Sequence, residues 1–229
     1  MNLQKLNDAI GNYKKWLLAN PRHDPYWKWE SLKIFRANWD IEALDFRNMY
    51  DSSLQNSRTR RLWKRENYEP KDMMLKFIDL NSEFVRYMFQ DLFNENKAVD
   101  GRIDRFVFHC NELLREYRET HPRSVENSHF HDDNYYIISL YLAFRYPELY
   151  APYDFDAFRQ MMELLGSRDV PKVNDTERFF KVMRTVYKFL QKDGDVLEIH
   201  RQRLDPRHHF EGDTLLAAAD FMEFVSNHK

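Results

Sequence analysis

The run of side chains best equipped for chemistry is Arg58-Thr59-Arg60-Arg61-Leu62-Trp63-Lys64-Arg65. Arg58, Arg60, Arg61, Lys64 and Arg65 place five cations in eight residues, able to neutralise phosphates, and the indole of Trp63 offers a flat face on which a base can stack. Together these are the means of docking on DNA. The competing reading is a solvated helix end whose tryptophan packs inward, the usual fate of a charge run.

The densest group of potential metal ligands is His129-Phe130-His131-Asp132-Asp133. Two histidines two residues apart, followed by carboxylates, suit a divalent ion, with His109 or His121 as further ligands. A metal-dependent hydrolase would need His129, His131 and Asp133 to converge within about 2–2.2 Å of one ion. The spacing is not the helix-borne H-E-x-x-H pattern, so we read loop histidines and capping aspartates and assign no metal or cofactor. His208-His209 beside Arg207 is a weaker candidate still.

Other reactive types read as structural. Cys110 falls on the apolar side of its helix and is expected to be a buried thiol rather than a nucleophile. Asp132-Asp133 and Asp154/Asp156 sit where helix N-termini favour negative charge. Tyr146, Tyr150 and Tyr153 either line a pocket for a planar ligand or form a turn packed on the core. Gly11, Gly101, Gly166, Gly194 and Gly212 are too widely spaced for a Walker A loop or G-x-G-x-x-G. No Ser/His/Asp arrangement stands out, and the expectation is a non-enzymatic chain.

The elements that would position these residues are helical throughout. Leu3, Leu6, Ile10, Tyr13 and Leu17 recur at helical spacing up to Asn20-Pro21. Helices follow at about 26–38, from an N-cap at Asp40 with Ile41, Leu44 and Met49 facing inward, and from Pro70, with a loop over 52–71 before it. Asn81 caps the stripe Phe84, Val85, Met88, Phe89, Leu92 and Phe93, and a helix over about 98–119 ends at His121-Pro122. Residues 121–134 read as a loop. The apolar run 135–144 is the length of a buried strand or helix, and its helical neighbours favour a central helix. Asp154 caps the next helix and Gly166 stops it; further helices span about 175–192, the stretch after Gly194, and the C-terminal region beyond a polar loop at 205–213.

Whole-chain properties agree with this reading. Only 5 of 229 residues are glycine, too few for the tight turns of a strand-rich fold, and 16% are aromatic, too many for disorder. The expected fold is all-α, a compact multi-helix globular domain of about ten helices, either one domain over 1–229 or two packed halves, 1–120 and 133–229. A net charge of -2 excludes a global basic field, so any nucleic-acid binding must be local. One cysteine excludes an internal disulfide. With no signal peptide and no long apolar run, a cytoplasmic protein that does not enter membranes is expected.

Several phrases resemble the N-terminal region that precedes the motor in McrBC-like AAA+ restriction proteins. They are Tyr26-Trp27-Lys28-Trp29-Glu30, Asn38-Trp39-Asp40, Phe84-Val85-Arg86-Tyr87-Met88-Phe89, His131-Asp132-Asp133-Asn134-Tyr135-Tyr136 and Tyr141-Leu142-Ala143-Phe144-Arg145-Tyr146-Pro147. The resemblance spans most of the chain and carries no catalytic motif. It implies a helical specificity or adaptor module of a defence system, with DNA, including DNA with modified bases, as partner and a AAA+ motor domain in cis. Such modules vary in fold, so no base-reading residue transfers. A helical protein-interaction module that couples a partner to the motor is the alternative.

Overall fold

The helical spacing of apolar side chains resolves into eleven α-helices among the residues described by a computed structural model, 1–20, 26–56, 69–122 and 135–228, with no strand among them. They are α1 (Leu3–Ala19), α2 (Trp27–Asn38), α3 (Phe46–Ser53), α4 (Pro70–Leu80), α5 (Ser82–Leu92) and α6 (Val99–Thr120), then α7 (Tyr136–Arg145), α8 (Phe155–Leu164), α9 (Thr176–Lys192), α10 (Asp195–Gln202) and α11 (Leu216–Asn227).

Polar caps fix many of the starts. Asn81 Oδ1 accepts from Phe84 N at 3.1 Å, Asp154 Oδ1 from Ala157 N at 3.0 Å and Asp175 Oδ1 from Arg178 N at 2.9 Å. Pro70 occupies the first turn of α4, where its missing N–H costs nothing. Gly166, at φ +65°, ends α8: its N–H and that of Ser167 reach back to the carbonyls of Glu163 and Met162.

One expected boundary is wrong. Asp40 does not open a helix; its Oδ1 accepts from Glu42 N at 3.0 Å in a local turn, and α3 starts after Asp45, whose Oδ1 accepts from Asn48 N at 2.9 Å. Leu44 is therefore fully exposed and Ile41 half-buried, while Met49 does face inward. The cause is long-range: Arg86 on α5 donates to the carbonyls of Ile41 and Ala43, satisfying backbone that a helix would otherwise pair. The expected loop also begins later than Ser52, because α3 runs to the buried Ser53.

Residues 137–144 of α7 are all buried, so this helix is apolar all round, as a central element must be. It packs on α2; α3 lies on α2, α4 and α5, and α6 on α4 and α5. The chain's two ends meet, since α1 packs against α10 and α11, while α11 also lies on α8 and α9. Buried side chains from Leu6 to Val225 form one apolar cluster.

Candidate functional site

Arg58, Arg60, Arg61, Trp63, Lys64 and Arg65 lie outside the described residues, and so do His129, His131 and Asp133. What is described is the frame of the basic segment. It leaves the end of α3 and returns at the start of α4, two helices that pack together. Their adjoining ends are tied by Lys71, whose Nζ lies 2.6 Å from Asp51 Oδ1 with its side chain 10% exposed. Burial alone would raise the Asp51 carboxyl, but the Lys71 ammonium and the Gln55 amide, 3.1 Å away, hold it below its usual value. Asn56 donates to Ser31 Oγ on α2, fixing the outgoing stem to a third helix. At the returning stem, burial and a hydrogen bond with Glu69 push the Asp72 carboxyl up. The cation of the returning stem, Lys71, is thus taken up by Asp51.

The remaining candidates are structural. The Cys110 thiol is buried, which pushes its pKa well above the usual range and withholds the thiolate needed for nucleophilic attack. His209 Nδ1 accepts from Asp205 N at 2.9 Å within its loop. His121 stacks on Tyr117 at 4.2 Å and its N–H closes α6. Asp154 caps α8, as expected. The tyrosine turn packs on the core: Tyr146 donates to Phe93 O at 2.8 Å, Tyr153 is fully buried, and Tyr150 receives a hydrogen bond from the buried Arg102 at 2.7 Å. Arg102 also donates to Leu92 O and to Glu95, so its charge closes the α5–α6 connection.

A cleft between α9, α10 and the 205–214 loop is lined by Trp29, Tyr187, His200, Arg201, Asp213 and Thr214. Its cavity is about 30 Å³, the room of a single water. Tyr187 donates to Asp213 at 3.0 Å, and burial, then this carboxylate, pushes its phenol up. His200 Nε2 lies 2.7 Å from Tyr13 Oη and its ring stacks on Trp29. These polar groups are spent on joining α1, α2, α9 and α10. Among the described residues no group of three or more His, Cys, Asp and Glu could hold a metal ion, and no helix is long and apolar enough to cross a membrane.

No known family model, curated protein or solved structure matches this chain.

Two features escaped the sequence reading. The first is an aromatic face on α5 and α6: Tyr87 and Phe108 are 54% and 58% exposed, with Phe84 stacked on Tyr87 and edge-on to His109, which meets Phe108. Phe84, expected within the core stripe, sits at that stripe's margin and is half-buried. The second is a buried charge cluster in which Lys28 on α2 faces Asp220 and Glu223 on α11. Its signal was an acid set among Ala217, Ala218, Ala219, Phe221 and Met222.

Proposed function

We propose that this chain is a DNA-recognition module of an McrBC-like restriction or defence system, without a nucleotide-hydrolysing site of its own. The observation that carries the reading is the concentration of Arg58, Arg60, Arg61, Lys64 and Arg65 around Trp63, in a segment whose stems are tied by the Lys71–Asp51 pair. Several cations elsewhere are taken up in ion pairs: Lys14 with Asp195, Arg47 with Asp79, Arg105 and Lys97 with Asp91, and Arg178 with Asp169. In this mechanism the five cations neutralise phosphates while Trp63 stacks on a base made accessible in the complex.

The test is binding of labelled duplexes, plain and cytosine-modified, by the wild type and by Arg60→Ala/Arg61→Ala/Lys64→Ala. The triple variant should keep the wild-type circular dichroism and lose at least tenfold in affinity. Equal binding by the two proteins would reject the segment as the interface.

A second reading, a helical protein-interaction module coupling a partner to a motor, is favoured by the aromatic face of α5 and α6. Replacing Tyr87 and Phe108 by Ala would leave DNA affinity unchanged on the first reading and abolish partner capture on the second.

A further inference from the structure

Lys28, Asp220 and Glu223 make an unbalanced site. One ammonium, itself 4% exposed, faces two carboxylates across the α2–α11 contact. It lies 2.5 Å from Glu223 Oε1 and 3.4 Å from Asp220 Oδ1. Glu223 is 45% exposed on its side chain and takes the closer contact; Asp220 is 5% exposed and takes the longer one. The carboxylate with less access to water therefore also has the weaker hold on the cation, and a buried charge without full compensation is costly.

The other groups acting on Asp220 are few. Arg203, just after α10, attracts its ionised form, and Tyr13 on α1 and Tyr26 before α2 face it as neutral phenols. The Arg203 guanidinium lies over the Tyr26 ring at 5.4 Å and donates to Asn20 O at the end of α1. Its Nε and Nη1 are buried and have no hydrogen-bond partner. α8 and α9, which also pack on α11, bring buried side chains that are apolar save Thr176 and Tyr187, and the Tyr187 hydroxyl is already given to Asp213.

We propose that the α2–α11 contact is a proton-operated clasp: the fold is most stable while the buried Asp220 is neutral, and it loses stability when Asp220 ionises beside the second carboxylate, Glu223, with one ammonium, Lys28, shared between the two. Burial pushes the Asp220 carboxyl up to about 7 despite the pull of Lys28, which places the transition at neutral pH. In the unfolded chain the same group ionises near 3.8. The folded state thus holds an extra proton between those values, and stability falls as pH rises through neutrality. His209, whose value burial lowers from 6.5, has the opposite sign, so its contribution rises with pH around 6.5 and cannot produce the fall assigned to Asp220.

The experiment is thermal unfolding of the wild type and Asp220→Asn between pH 6.5 and 8.5. The wild-type midpoint should fall by a few degrees over this range, while Asp220→Asn, which imitates the neutral acid, should not show that fall. A flat wild-type profile, or an equal fall in the variant, overturns the proposal. If the variant fails to fold, a carbon-detected titration of aspartate carboxyls in the wild type decides. An inflection for Asp220 between pH 6 and 8 is expected, and one near 4 overturns it.

Discussion

Lys71 on α4 reaches back to Asp51 on α3 at 2.6 Å, joining the two ends from which residues 57–68 depart. The pair is asymmetric: the Lys71 side chain is 10% exposed and that of Asp51 34%. Removing the carboxylate strands a buried ammonium, whereas removing the lysine leaves a carboxylate that still has Gln55 and water. Asp51→Asn should therefore cost more than Lys71→Met, about 2–3 kcal/mol against about 1 kcal/mol. Urea unfolding of the two variants checks the order; the reverse order would show that Lys71 acts chiefly through its stem packing.

Tyr50 on α3 and Tyr141 on α7 share a hydrogen bond of 2.6 Å between fully buried hydroxyls. Tyr141→Phe removes the partner of the Tyr50 hydroxyl and should cost about 1–3 kcal/mol. Tyr50→Phe/Tyr141→Phe should cost less than the sum of the single changes, because no donor is then stranded. A double-mutant cycle from denaturant midpoints measures the coupling.

Asp91 sets an acid limb. Burial would raise its carboxyl, but Arg105 at 2.8 Å and Lys97 at 2.5 Å hold it below the usual value. Its contribution is present above the unfolded value of 3.8 and lost as pH falls through the lower folded value. Asp91→Asn should lower the denaturant midpoint at pH 6 and flatten its decline below pH 4. A variant profile parallel to the wild type would remove Asp91 from that limb.

The fold was legible because its signals are local. Asn81, Asp154 and Asp175 cap helices where a short oxygen-bearing side chain precedes an apolar stripe, and Pro70 and Gly166 mark a start and a stop. The buried run 137–144 was long enough to be read as a central helix from its neighbours. The failure at Asp40 came from Arg86, which lies 45 residues away from the Ile41 carbonyl it serves. Pairings of that kind leave no trace in periodicity. The same holds for the Lys28–Glu223 contact, 195 residues apart, and for Tyr13–His200, 187 apart. For the candidate interface, the sequence supplied the cations and Trp63, and the structure supplies the stems. Tyr87 and Phe108 fall outside the apolar stripes of their helices, and spacing alone does not say that two such aromatic residues on neighbouring helices share one exposed face.

The measurement that bears most directly on the proposed function is the salt dependence of duplex binding by the folded wild-type chain. If Arg58, Arg60, Arg61, Lys64 and Arg65 each meet a phosphate, log K should fall against log salt with a slope of about -4.5, roughly a 500-fold loss between about 50 and 200 mM. A folded chain that fails to bind at about 50 mM salt, or binds with a slope near zero, would contradict DNA recognition through this segment.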